Sequence, residues 1–204
     1  MVYFTSDLHF GHENVLQWRP VFSSVEEMDE TLIRNWNDTV KEEDFIIILG
    51  DMFFQNQIPA EQYLQRLKGR KILVRGNHDA SWLKHMDEET LWRYFEDVVD
   101  LYSMKRDGVK LQFCHYPMIS WESSRRGSLL ICGHIHGRPD GYEYDMLRQV
   151  PNAFNAGVDI NGFRPVALGA LIQNNDAFYC RSRSDEERQV LEQMAMLFDG
   201  RESE

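Results

Sequence analysis

The sequence has little cysteine, no long apolar run and a shortage of positive charge. Its three cysteines are odd in number and form no Cys-x-x-Cys pair, so we interpret them as buried, reduced thiols. No apolar run approaches the ~20 residues of a membrane helix, and no charged-then-apolar leader opens the chain. We therefore expect neither a membrane span nor a targeting segment, and a cytoplasmic location.

The charge balance is acidic, with 22 basic against 33 acidic residues and a formal net charge of -11. Such a surface disfavours non-specific adhesion to nucleic acid or to an anionic membrane. Bound dications would reverse the sign locally, so an anionic substrate stays compatible. The 204 residues, 43% of them hydrophobic, predict one folded domain over residues 1–204.

The hydrophobic pattern predicts an α/β fold. Apolar, β-branched runs predict strands at 2–5, 45–49, 71–74, 110–114 and 129–132, with later candidates at 154–158, 166–172 and 177–180. Helical spacing predicts helices at 25–40, 59–67, 87–94 and 184–197, and Ser24 and Ser184 each open a capping-box pattern. Strands with intervening helices collect polar groups at the carboxyl ends of the strands.

Six of the seven histidines sit in short segments that follow predicted strands, and Asp or Asn residues occupy the same kind of position. The candidate ligands are Asp7, His9, Asp51, Asn77, His115, His134 and His136. Imidazole nitrogens and carboxylate or amide oxygens are what two neighbouring divalent ions require, and a carboxylate such as Asp51 can bridge both ions. The pattern therefore indicates metal-assisted hydrolysis of a phosphate ester.

These segments, in this order, resemble the calcineurin-like metallophosphoesterase family over residues 3–136. Residues 155–159 and 162–165 resemble a small bacterial and phage branch of it. The resemblance implies a four-layer α-β-β-α sandwich of metallo-dependent phosphatase type, with a binuclear metal site at the strand ends. By that resemblance, one ion is bound by Asp7, His9, Asp51 and His136, and the other by Asp51, Asn77, His115 and His134.

The two ions would lower the pKa of a bridging water and give a hydroxide that attacks phosphorus. His78, like its family counterpart, would lie beside the phosphate, and Asp79 would orient His78. His12 is a candidate for contact with the phosphate or with a ligand. Mn²⁺ is the expected ion, with Fe, Zn or Ni as alternatives.

The expected substrate is a small phosphodiester or phosphomonoester, with a nucleotide-like diester favoured. Two alternatives stay open: a non-catalytic interaction scaffold of the same fold, and a nuclease acting on DNA or RNA ends. The sequence leaves the oligomeric state open. Residues 121–127, with Arg125 and Arg126, are a candidate substrate loop, and the tryptophans at 18, 36, 82 and 92 are expected to pack in the core.

Overall fold

The structure is a computed structural model that describes residues 1–55 and 58–200. These residues form two four-stranded sheets. The first is fully parallel and has the order β1 (Val2–Thr5), β2 (Phe45–Ile48), β3 (Arg70–Val74), β4 (Phe95–Val99). The second has the order β5 (Leu101–Arg106), β6 (Val109–Cys114), β7 (Leu129–Cys132), β8 (Ala153–Asn155), and only β5 runs antiparallel to its neighbour.

Seven α-helices join or flank these strands within the described residues. They are α1 (Val25–Thr39), α2 (Ala60–Leu64), α3 (Ala80–Leu83), α4 (Glu88–Tyr94), α5 (Tyr142–Gln149), α6 (Leu168–Phe178) and α7 (Asp185–Asp199). Short 3₁₀ turns span Glu13–Gln17, Ser124–Arg126 and Val158–Ile160. The predicted caps form at α1, where the Ser24 hydroxyl accepts from the Glu27 backbone, and at α7, where the capping box is complete.

Alternation along β2 shows how the layers are built. Ile46 and Ile48 pack with Trp36 of α1 on the outer face of the first sheet. Ile47 points the other way, into a core shared by both sheets. Leu130 of β7 packs outward in its turn, in a cluster with residues of α5. The predicted α-β-β-α sandwich is thereby confirmed.

Two predicted strands are wrong. Residues 166–172 lead into α6, which begins at Leu168, and residues 177–180 lie in its last turn and the turn that follows. Helix α6 buries Leu168, Leu171 and Ile172 in the core shared by the two sheets. Residues 166–172 contain no polar side chain, so their sequence shows no polar helix face. A short run of this kind cannot be told from a buried strand by periodicity.

Other elements were missed. Strands β4 and β5 and helix α5 were not predicted, and β5 alternates between exposed and half-buried residues with no fully buried position. In the part of the chain that the structure describes, no helix has the length and apolar character needed to cross a bilayer. The sequence also predicts that the chain frays from residue 200 onwards, and residues 201–204 lie outside the described residues.

Candidate metal centre

The loops after the strands meet at one edge of the sandwich. Ser6, just beyond β1, forms a bridge with Gly157 beyond β8, and the backbone N–H of His134 beyond β7 donates to the Asp7 carboxylate. A Cβ atom at Gly133 would lie 2.8 Å from the nearer oxygen of Asp7, so this approach requires glycine. The carboxyl ends of strands from both sheets therefore face one place.

Five of the seven predicted ligands have a left-handed backbone. They are Asp7 (φ 57°), His9 (φ 52°), Asp51 (φ 54°), His134 (φ 76°) and His136 (φ 52°). This conformation is uncommon outside glycine, and backbone strain of this kind persists where the surrounding structure fixes it. The backbone thus reverses sharply at these residues in the loops that follow the strands.

The fully buried carboxylate of Asp79 joins the ends of β2 and β3. One of its oxygens accepts hydrogen bonds from the backbone N–H groups of Asp51 (2.9 Å) and Gly76 (2.7 Å). The other accepts from the backbone of Met52 (3.1 Å) and the indole of Trp82 (2.8 Å). Four donors on one carboxylate fix the loop that carries Asp51.

This arrangement gives Asp79 a role that the sequence did not predict. Among the described hydrogen bonds to its carboxylate, none comes from the ring of His78, because both oxygens already accept from two other donors each. The backbone N–H of His78 instead donates to the Asp51 carboxylate at 2.9 Å. Asp79 therefore positions the loop around Asp51, and its predicted role in orienting the His78 ring stays a prediction.

One group of candidate ligands comprises Asp51, His115 and His134, whose ligand atoms lie within 4.8 Å of one another. The Nδ1 atom of His115 lies 2.5 Å from the Leu49 carbonyl, which only accepts, so Nδ1 carries the hydrogen. In the neutral ring, Nε2 then presents a lone pair, yet it faces the Asn77 Oδ1 at 3.1 Å and Asp51 Oδ2 at 3.5 Å. Three lone pairs that face one another in this way suit a cation between them.

The second group comprises Asp7, His9 and His136, which meet the same distance limit of 4.8 Å. Both ring nitrogens of His9 are buried and have no hydrogen-bond partner among the residues that the structure describes, although buried polar atoms are normally paired. Burial, followed by the neighbouring His136 and Arg19, lowers the pKa of His9 to about 2. The ring is therefore neutral, as a metal ligand must be.

Asp51 belongs to the first group and also approaches His9 of the second. Its Oδ2 is 3.9 Å from the Nε2 of His9 and 3.5 Å from the Nε2 of His115. Burial raises the pKa of Asp51 to about 6, against the opposing effect of His115. A carboxylate that is costly to ionise in a buried place gains most from a bound cation. Each group contains three members of one of the two ligand sets that the family resemblance implies.

A buried arginine braces the second group, and the sequence did not single it out. Arg19 donates to the carbonyls of Asp7 and Leu8 and to both carboxylate oxygens of Asp159. Asp159 in turn lies 3.2 Å from the Nδ1 of His136, which leaves the Nε2 of that ring for a metal. A chain separation of 140 residues between Arg19 and Asp159 explains why no local pattern showed this pair.

The charges in this chain of contacts reinforce one another. Burial alone would raise the pKa of Asp159, but Arg19 and the hydrogen bond with His136 hold it below its usual range. Burial would lower the pKa of His136, but the hydrogen bond with Asp159 raises it. Asp159 is thus an ionised acceptor that fixes the tautomer and the orientation of the ring.

Two further predicted residues, His78 and His12, lie close to the candidate ligands. The ring of His78 keeps a side-chain exposure of 30%, and its Nε2 is 3.8 Å from Asp51 Oδ2. His12 is buried, with its ring centroid 5.9 Å from that of His9. Burial is the main factor that lowers the pKa of both His12 and His78. His78 is therefore open to a substrate, while His12 packs behind His9.

Two tryptophans contradict the expected packing. Trp36 and Trp82 are buried, but Trp18 is 49% exposed and Trp92 is 52% exposed. The ring centroid of Trp18 lies 6.1 Å from that of His136, whereas Trp92 belongs to α4. The apolar pattern around residue 18 gave no sign that its neighbour Arg19 would be the buried residue.

Comparisons with known proteins agree with this geometry. The family model of the calcineurin-like phosphoesterases matches residues 1–150, and the chain belongs to this family. An uncharacterized protein of Methanocaldococcus jannaschii is 31% identical over 84% of this chain and 89% of its own length. The Gene 66 protein of Mycobacterium phage L5 is 32% identical over 92% and 97%. A solved protein of unknown function from Aquifex aeolicus superposes with a TM-score of 0.62, at 29% identity over 81% of this chain and 94% of its own.

We expect Asp159→Asn to weaken metal binding by about 10- to 100-fold, since the amide cannot supply the charge that holds His136 and Arg19. Calorimetric titration with Mn²⁺ measures this loss. The matched control is Asp145→Asn, which changes an exposed carboxylate on α5 and should leave the affinity unchanged. Equal affinities in the two variants would contradict the bracing role.

We expect Asp79→Asn to lower the free energy of unfolding, because an amide nitrogen cannot accept the hydrogen bonds of one carboxylate oxygen. Each buried donor left unpaired costs about 1–3 kcal/mol. Thermal unfolding without metal measures this effect. A variant that unfolded like the wild type and lost only turnover would show that Asp79 acts on His78 after all.

Proposed function

We propose that this chain is a hydrolase that uses two divalent ions to cleave a phosphodiester or phosphomonoester, with a small nucleotide-like diester as the favoured substrate. Membership of the family supports metal-dependent phosphoesterase chemistry in general. The observation that carries the two-ion detail is the pair of ligand groups on either side of Asp51. Within each group, nitrogen and oxygen atoms that can bind a cation lie close together. Both ring nitrogens of His9 lack a hydrogen-bond partner among the described residues.

The geometric groups support a division of the proposed ligands into two sets. Asp7, His9 and His136 would hold one ion, Asn77, His115 and His134 would hold the other, and Asp51 would serve both. Two divalent ions bound there would activate water as the nucleophile and neutralise charge on the phosphate oxygens. Mixed nitrogen and oxygen donors accept Mn²⁺, Fe, Zn or Ni, and we propose Mn²⁺ as the working ion.

In this proposal, other residues position the metal ligands and the substrate. Asp79 and Arg19 hold the ligand loops, so the ligands need not rearrange when ions bind. His78 lies beside Asp51 with its ring partly exposed, where it can bind a phosphate oxygen or give a proton to the leaving oxygen. The acidic composition argues against a long polynucleotide as substrate, and a complete ligand set argues against a non-catalytic scaffold.

We expect Asp51→Asn to reduce the Mn²⁺-dependent hydrolysis of bis-p-nitrophenyl phosphate by at least ~100-fold, since the shared ligand loses its charge. The release of p-nitrophenol measures the rate, and Asp145→Asn is the matched control on the surface. Wild-type protein with no activity towards any phosphate ester would favour the scaffold alternative. Undiminished turnover in Asp51→Asn would remove the shared role.

We expect His78→Ala to keep both ions and to lose about 10²- to 10⁴-fold in kcat, the usual range for a proton-transfer residue. Metal content by elemental analysis and kcat on the same sample separate these effects. His85→Ala, which changes an exposed histidine, serves as the control. A His78 variant that lost metal would instead identify this ring as a ligand.

A further inference from the structure

Exposed aromatic rings flank the candidate metal centre on more than one side. Trp18 is 49% exposed and lies 6.1 Å from the ring centroid of His136. Tyr116 is 47% exposed and lies 4.8 Å from the ring centroid of His134. Large aromatic side chains are usually well buried, so rings left half open beside the site require an explanation.

The position of Trp18 is fixed relative to the ligands. It ends the 3₁₀ turn Glu13–Gln17, and the next residue, Arg19, is almost fully buried. Arg19 donates to the backbone carbonyl of Asp7 at 2.6 Å, so the chain at Trp18 is tied to the strand end that carries the first candidate ligand. The backbone that carries the indole is therefore tied to the centre before any substrate arrives.

The indole of Trp18 already contacts one planar group, the guanidinium of Arg138. The guanidinium carbon of Arg138 lies 4.6 Å from the ring centroid of Trp18, and Arg138 is exposed. Arg138 follows the candidate ligand His136 by two residues in the chain. It therefore brings a positive charge close to the metal centre of a protein whose net charge is -11. An aromatic face with a cation upon it, next to a phosphate site, suits an anion that bears a flat ring.

We propose that Trp18 and Arg138 bind the planar aromatic group of the phosphate ester, a nucleobase or another aryl ring, and so determine substrate specificity. The inference rests on the proposed function and names the substrate class of the same site. The ring stacks on the half-exposed indole, and the exposed Arg138 guanidinium beside that indole supplies a second planar, positively charged contact. Trp18 binds substrate without contact with the reacting atoms.

The test compares three phosphonates that share one head group and cannot be hydrolysed. They are the phosphonate analogue of adenosine 5′-monophosphate, benzylphosphonate and methylphosphonate. With the Mn²⁺-loaded protein, calorimetry gives Kd for each. We expect Trp18→Ala to raise the Kd of the adenosine compound by about 5- to 150-fold, which corresponds to 1–3 kcal/mol of stacking, and to leave that of methylphosphonate within about twofold.

Matched variants separate stacking from general damage. Trp92→Ala removes another half-exposed tryptophan, on α4, and should change none of the three Kd values. Trp18→Phe keeps an aromatic face and should restore most of the affinity. A loss for the adenosine compound alone identifies a nucleobase, whereas an equal loss for benzylphosphonate identifies any aryl ring, and both results support the proposal.

Other outcomes overturn the inference. If Trp18→Ala weakens methylphosphonate as much as the adenosine compound, the residue acts on the metal loops and not on a ring. If no Kd changes, the indole is not part of the site. The proposed function fails separately, since wild-type protein inactive on every phosphate ester would refute hydrolysis even where Trp18-dependent phosphonate binding persists.

Discussion

The crowding of lone pairs at one edge of the sandwich is the constraint on which the rest of the structure depends. Nitrogen and oxygen acceptors repel one another unless donors or cations stand between them. The chain supplies fixed donors behind the acceptors, notably the backbone N–H groups that converge on Asp79 and the guanidinium of Arg19. In front of the acceptors, the described structure offers no such donor to His9. This asymmetry favours a bound metal.

The fold maintains that arrangement through strained backbone. Left-handed turns at Asp7, Asp51 and His134 belong to loops that follow three strands of two different sheets. The apolar core between the sheets, with Phe4, Phe113 and other fully buried residues, holds those strand ends together. Burial of large apolar side chains offsets the cost of such turns, which is of order 1–3 kcal/mol each.

The side of the centre that faces away from the core has a different character. There His78 is partly exposed and Trp18 is half exposed, with Arg138 over the indole. The candidate metal ligands are held by buried hydrogen bonds, whereas the surface next to them is exposed and partly aromatic. The first part suits metal binding, and the second suits substrate binding. The proposal accordingly assigns substrate specificity to residues outside the ligand clusters.

The sequence by itself determined which residues cluster after the strands and which chemistry they offer, because strand periodicity and ligand type are local properties. The tertiary structure alone decided that Asp79 serves Asp51, that Arg19 is buried against Asp159 and that Trp18 is left open. It also decided that residues 168–178 form a helix. Each of these outcomes depends on partners tens to more than a hundred residues away, which no window of neighbouring residues contains.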